Sequence, residues 1–405
     1  MEKVFGQYEA AMQNGGEFLA RAEYGVLTLT IYDDLEQVKP LWQAFEQTAL
    51  LTPFQTTAWA YQWYRHIGTI EMVKPVVVVA EDKLGVLFIM ALQIESGVLR
   101  KLSFLGSDLN DFNCPLFAAD YAARAAGIEM RDVWHQIVKL IDGQQGLQHD
   151  YERLEKMPDQ ICGLANPMLS LNVSLTPSHA YRTAMLGDWE TFYASRRDGN
   201  ARYKDRANRK KLEKLGAVTL VSPEEPTEIR TLIDTLIKMK SARFEQKGVS
   251  NFLTKPGYAD FYRAMAAEER GLVHVSQLNV GQNVTAANFA LMFRGGYYYV
   301  LNSFALGETD RLGPGKIHMR ELMKTFIEKG YTAFDFTIGD EPYKLEWCES
   351  KSPLYDHMDA ATMKGRAALA YWSAFQSTKR YIKQTPALWN AYSKLRGAFG
   401  ARKAG

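Results

Sequence analysis

Cysteine is scarce in this chain: Cys114, Cys162 and Cys348 are the three in 405 residues, odd in number and without a C-x-x-C pair. That excludes a disulfide framework and points to a reducing cytoplasm. No H-x-x-x-H or other ligand spacing surrounds His66, His135, His274 and the remaining histidines, so no metal is expected. A G-x-S-x-G turn is missing too, which leaves serine-triad hydrolysis without support. The most apolar runs, "VVVVA" and "GVLFIMALQI", fall far short of the roughly 20 residues that span a bilayer and read as buried strands. The opening "MEKVFGQYEAAMQNGGEF" lacks the basic start and apolar stretch of an export signal. Nor is there a charge excess. Lys and Arg number 48 against 46 Asp and Glu, a net of +2, so any electrostatic partner has to be sought in local clusters.

What is present is material for more than one core, with 47% of residues hydrophobic and 12% aromatic. From Val26 the pattern runs strand, helix ("DLEQVKPLWQAFEQTA"), aromatic helix, and the strands "KPVVVVAEDK" and "LGVLFIMALQIESGVLRKLSFLG". The helix "DVWHQIVKLIDG" follows, with Val133, Ile137, Leu140 and Ile141 on one face and Gly143 as its stop, and then a weak strand "YERLEKMP". The second half repeats the order. "LVHVSQLNVGQNVTAANFALMFRGGYYYVLNSFALG" gives strands around two glycine turns, "KIHMRELMKTFIEKG" a helix stopped by Gly330, and "YTAFDFTI" a strand. Both halves read β-β-β-loop-α-β, an internal duplication of an α/β (α+β) unit with mixed, mainly antiparallel sheets. The expected division is an N-terminal segment over 1–25, a first unit over 26–186, a basic helical linker over 187–216, a second unit over 217–350, and a basic amphipathic helical tail over 351–405.

Two stretches could carry chemistry. In "LGPGKIHMREL", Gly313 and Gly315 flank Pro314 between an aromatic strand and a helix, where backbone can approach a ligand and the first helical N–H groups point outward as anion donors. Arg311 and Lys316 add positive charge there. In "FDFTIGDEPYKLEW", the strand period turns Asp335 away from the layer of Phe334 and Phe336, and Glu341, Tyr343 and Lys344 crowd the exit. Taken singly, each of these is more often a turn residue, a satisfied carboxylate or a surface ion pair. His318 is expected at a solvent-facing position on the helix, and nothing nearby makes Cys348 a thiolate.

The order of tyrosine-rich strand, G-P-G turn with helix, and "FDFTIGDEPYK-x-x-W" resembles the GNAT-fold acetyltransferases of the CelD/BcsL, cellulose-biosynthesis type, related to the Fem-like transferases. "PFQTTAWAYQWYRHIG", "LSFLGSDLNDFNCPLF" and "RRDGNARYKDRANRKKLEKLG" extend the resemblance over most of Val26 to Trp347. It implies tandem GNAT-like units, the first degenerate and shaping the acceptor cleft, the second binding acetyl-CoA or another acyl-CoA through Arg311, Gly313, Gly315 and Lys316. Asp310 stands where that family's loop begins with Gln or Arg. Catalysis would fall to Asp335 or Glu341 as base, Tyr343 as proton donor to the leaving thiolate, and Lys344 as anion or acceptor ligand.

The expected activity is acyl transfer from coenzyme A to an amine or hydroxyl on a small molecule or saccharide, in polysaccharide or cell-envelope synthesis. The alternatives are a Fem-like transferase using charged tRNA, the one case in which nucleic acid would be a partner, and a non-catalytic GNAT-shaped binding protein. Basic residues of 188–216 and the aromatic, basic tail could also meet an acidic partner or an anionic membrane surface.

Overall fold

The wholly apolar and alternating runs become strands, and the helices between them start and stop where capping chemistry allows. In the computed structural model, which describes residues 17–349 and 351–385, the strands gather into two compact units. One holds the described residues up to Ser178 and again Pro353–Thr378; the other holds His179–Ser352 and the described residues from Lys379 onward.

The first unit's sheet runs in the order Ala20–Tyr24, Leu27–Tyr32, Lys74–Asp82, Gly85–Glu95, Lys101–Phe104, Tyr151–Pro158, Leu354–Ala360 and Val173–Leu175. Lys101–Phe104 and Tyr151–Pro158 are parallel, joined only at Lys101↔Tyr151 and Leu102↔Glu152. Their crossover is the helix Met130–Asp142, which buries Val133, Trp134, Ile137 and Ile141. Gly143 is still helical, with φ −67°, and the left-handed residue comes later, at Gly146. The expected helical tail over 351–405 is corrected at its start, where Leu354–Ala360 is a strand of this sheet. Leu354–Ala360 pairs with both Tyr151–Pro158 and Val173–Leu175. Its inward polar residues hid it, because buried Asp356 takes the Lys156 N–H and the Thr176 hydroxyl, and such satisfied polar groups break the apolar alternation. A helix does follow, Met363–Gln384, with Trp372 stacked under Arg153. Trp389 and Tyr392 lie outside the described residues.

The second unit's sheet is Val218–Val221, Val273–Val280, Asn283–Phe293, Gly296–Phe304, Ala333–Ile338, Ala180–Ala184 and Lys351–Ser352. Again three antiparallel strands lead through a helix, Pro314–Glu328, to a strand parallel to the third. The molecule is thus a mixed α/β protein whose two sheets repeat one strand order. The basic stretch expected as a linker is part of the second unit, folded as the helices Trp189–Arg196 and Gly199–Glu213. Asp188 and Asp198 cap them, accepting from the Thr191 and Ala201 amides at 2.8 and 2.7 Å. Phe192, Tyr193 and Leu212 are buried. This unit's core is aromatic: Tyr297, Tyr299, Phe326, Phe334, Phe336 and Trp347 pack with Met319, Leu322 and Met323.

Candidate active site

The parallel pair of the second unit opens as it runs. Gly296, Tyr297 and Tyr298 pair with Ala333, Phe334 and Asp335, after which the two strands have no common register. The Gly296–Phe304 strand therefore keeps an open edge along its last residues. The Ala305 N–H bonds Thr285 in the neighbouring strand at 2.9 Å, so by the alternation of a ladder the peptide groups of Phe304 and Asn302 face the open side. Beyond that edge the chain turns at Asp310–Leu312 and enters the helix. Gly313 caps it in the left-handed region (φ 68°, ψ 51°), with Pro314 at its first position. The Gly313 carbonyl takes both the Lys316 and Ile317 amides, while the Gly315 N–H has no acceptor among the described residues. Gly315 also permits a close approach. A Cβ there would stand 3.0 Å from Cδ1 of Phe304, whose ring lies against the helix start.

The expected binding residues share this turn but differ in availability. Arg311 is exposed. Half-exposed Lys316 instead pairs with Glu346 at 2.7 Å. Glu346 also receives Arg197 at 2.5 Å, which leads to buried Asp205, where Arg197, Arg320 and the Tyr193 hydroxyl converge at 3.2, 2.9 and 2.7 Å. The two arginines and the Tyr193 hydroxyl hold the Asp205 carboxyl below its usual range against the opposing effect of burial.

At the strand exit, Asp335 is buried and accepts from the Thr337 N–H at 2.8 Å. Thr337 stands at φ 57°, rare for a β-branched residue, where the register with Ala180–Ala184 slips by one residue. Lys344 is buried too, its ammonium folded back onto the Ile338 carbonyl at 2.9 Å and the exposed Glu341 carboxylate at 3.0 Å. Burial raises the Tyr343 hydroxyl well above its ordinary range, as it does Cys348, pushed up to about 12. Tyr343 rests edge-on against Phe336. Asp340 is held by Tyr181 and His179 at 2.9 and 3.0 Å. The structure thus brings Glu341, Tyr343 and Lys344 together and sets Asp335 into a backbone turn beside them.

Two cations escaped the sequence reading. On the helix Pro226–Gln246, Ile229, Leu232, Ile233 and Leu236 form the buried stripe, and the same period carries it on to Lys240 and Arg243. The Arg243 guanidinium lies over the Phe304 ring, 3.7 Å from its centre, with no carboxylate partner among the described residues. Lys240 donates to the Asn302 carbonyl at 3.1 Å, on the open edge. Desolvation lowers its pKa to about 8; Glu341 pulls it up, and Lys247, Arg243 and Lys344 push it further down. Helical periodicity extended past Leu236 would have flagged both.

His318 corrects another expectation. It is fully buried, because the helix Pro314–Glu328 is covered on more than one face, and its ring bonds Ser276 at 2.8 Å. Ser276, Asn288, Tyr297 and His274 continue the chain of hydrogen bonds. In the first unit His149 is not solitary either. It lies between Asp142 and Glu152 at 2.9 and 3.8 Å, and Glu152 also takes Trp134 and His357. A cavity of about 540 Å³ opens beside them. Among the described residues no group of His, Cys, Asp and Glu is placed to hold a metal ion, and no helix is long and apolar enough to cross a membrane.

Residues 199–345, which contain Lys240, Arg243, Arg311, Gly313, Gly315, Lys316, Asp335, Glu341, Tyr343 and Lys344, match the acetyltransferase (GNAT) domain family. No curated protein sequence matches the chain. Among solved structures, FemX superposes with a TM-score of 0.54 at 12% identity, covering 78% of this chain and 95% of its own. A conserved protein of unknown function from Bacteroides thetaiotaomicron gives 0.49 at 12%, covering 80% and 98%. A tandem GNAT protein from the clavulanic acid biosynthesis pathway gives 0.40 at 10%, covering 78% and 98%. Over residues 199–345 the chain is therefore similar to acetyltransferase (GNAT) domains, and its fold is similar to that of FemX.

Proposed function

We propose that the second unit is an acyltransferase that takes acetyl-CoA or another acyl-CoA as donor. The pyrophosphate would meet the Gly315 amide, Arg311 and Arg243 at the helix start, and the amide-bearing arm would run along the open edge at Asn302 and Phe304. One observation carries this reading: an open strand edge ends beside a helix N-terminus flanked by a guanidinium without a carboxylate partner among the described residues, an arrangement suited to a phosphate joined to a chain of amides. Lys316 would join only by leaving Glu346.

At the exit, Tyr343 stays protonated at neutral pH and suits proton donation to the leaving thiolate. Glu341 has its carboxylate at the surface and suits the acceptor's proton better than Asp335, which is occupied by the Thr337 amide. Lys344 would steady the acceptor or the oxyanion. The acceptor is an amine or hydroxyl on a small molecule or saccharide, in cytoplasmic steps of polysaccharide or cell-envelope synthesis; the sequence resemblance alone supports that context. A second reading, aminoacyl transfer from charged tRNA, is favoured by one feature. The helix Gly199–Glu213 and the residue after it expose Lys204, Arg206, Lys210, Lys211 and Lys214 beside Tyr203.

Calorimetric titration with acetyl-CoA tests the donor. The expected result is binding in the micromolar range, weakened at least about tenfold in Gly315→Asp, which places a carboxylate among anion donors. Absence of heat with the wild-type protein would overturn the assignment and leave RNase-sensitive aminoacyl transfer as the next reading.

A further inference from the structure

Lys240 has no part in the scheme above, yet its amine occupies the open edge along which the donor would lie. We propose that Lys240 is itself an acyl-accepting residue, acylated on its amine by the bound acyl-CoA. The inference rests on the donor reading of the same site.

The geometry supplies the reason. The one hydrogen bond described for the Lys240 ammonium goes to the Asn302 carbonyl at 3.1 Å, on the side of the strand that Ala333–Ile338 has left. A donor whose amide N–H takes that carbonyl displaces the ammonium from its acceptor. A partly buried ammonium that loses its acceptor gives up its proton more readily. Desolvation, with Lys247, Arg243 and Lys344 nearby, holds its pKa at about 8 against the opposing pull of Glu341, so a large fraction is neutral at mildly alkaline pH. A neutral amine beside a thioester is a nucleophile. Its nitrogen lone pair attacks the thioester carbon, the C–N bond forms and the C–S bond breaks, and the departing thiolate takes up the proton that the nitrogen loses. The products are an amide on Lys240 and free coenzyme A. Because an amide does not pass its acyl group on, the modified chain is switched off: it loses a cation from the cleft and fills the open edge.

The test uses the full chain, acetyl-CoA and intact-mass spectrometry followed by peptide mapping, with Lys240→Arg as control and circular dichroism to show that the variant folds. The expected result is about one acetyl group per chain, on Lys240, forming faster as pH rises to about 8 and levelling above it. Excess desulfo-CoA suppresses it, and Lys240→Arg lacks it. Acetylation spread over surface lysines and equal in the variant would overturn the proposal, as would none at all. If calorimetry on the same sample shows acetyl-CoA bound, only the Lys240 inference fails; if acetyl-CoA does not bind, the donor reading falls and takes the inference with it.

Discussion

Asp335 shows how a single residue can look catalytic and do structural work. Its carboxylate takes the amide of Thr337, whose φ of 57° would otherwise leave a strained, buried N–H without a partner. Asp335→Ala is expected to cost about 1–3 kcal/mol, the price of an unsatisfied buried donor, whereas Asp335→Asn keeps an acceptor oxygen and costs less than about 1 kcal/mol. Urea unfolding of the two variants separates them; equal losses would deny the amide its importance. Arg243 is the reverse case, a residue with no ion pair among the described residues. Stacked on Phe304, it is already held in place for an anion, and a charge-assisted contact to phosphate is worth about 1.5–3 kcal/mol. Arg243→Met, which retains the contact with the ring, is therefore expected to raise the dissociation constant for coenzyme A by roughly ten- to hundredfold. Calorimetry would show it, and an unchanged affinity would place the pyrophosphate elsewhere.

At the scale of elements, local chemistry announced most of what forms. Gly313 and Pro314 mark the start of a helix and Gly330 its end, and the apolar strands around them cannot be placed elsewhere. The repeated strand-helix-strand order was equally plain, because each crossover helix carries a one-sided apolar stripe. What the sequence hid were polar groups satisfied by distant partners. His318 sits on a helix whose alternating charges suggest an exposed face, yet Ser276 from another strand receives it in the interior. Lys240 and Arg243 read as an ordinary charged turn of helix until the strand edge beneath them is known. Asp205 belongs to the same class. It lies in a run of basic residues that looks like a solvated face, but it neutralises Arg197 and Arg320 and so fastens the helix Gly199–Glu213 to the helix Pro314–Glu328. Removing one partner of such a buried cluster leaves the others unpaired, at a cost of about 3–5 kcal/mol. Asp205→Ala should lower the thermal midpoint accordingly, and hydrogen exchange should quicken in both helices. A variant that melts with the wild type would mean that the arginines find water or other acceptors.

Over the whole molecule, the two units hold their histidines in opposite ways, and this sets how each responds to pH. In the second unit burial pushes His274 down to about 4 and His318 to about 3, so both are neutral in the folded state below the pH at which they protonate when unfolded. The unfolded chain then binds more protons, and this unit loses stability as pH falls from about 6.5, by up to about 1.4 kcal/mol per pH unit for each histidine. In the first unit the carboxylates of Asp142 and Glu152, 2.9 and 3.8 Å from the ring, outweigh burial and raise His149 to about 9, and His357 is raised by its bond to Glu152. Glu152, answering to both and to Trp134, is held at about 2 and stays ionised throughout. That stability is complete below about pH 6.5 and drains away as pH rises through 9. Hydrogen exchange followed peptide by peptide at pH 5, 7 and 9, corrected for the intrinsic rate, resolves the units. Strands of the second unit should lose protection toward pH 5 and those of the first toward pH 9, and His149→Gln should flatten the alkaline loss alone. Parallel losses in both units at either extreme would show that net charge, and not these buried histidines, governs the response.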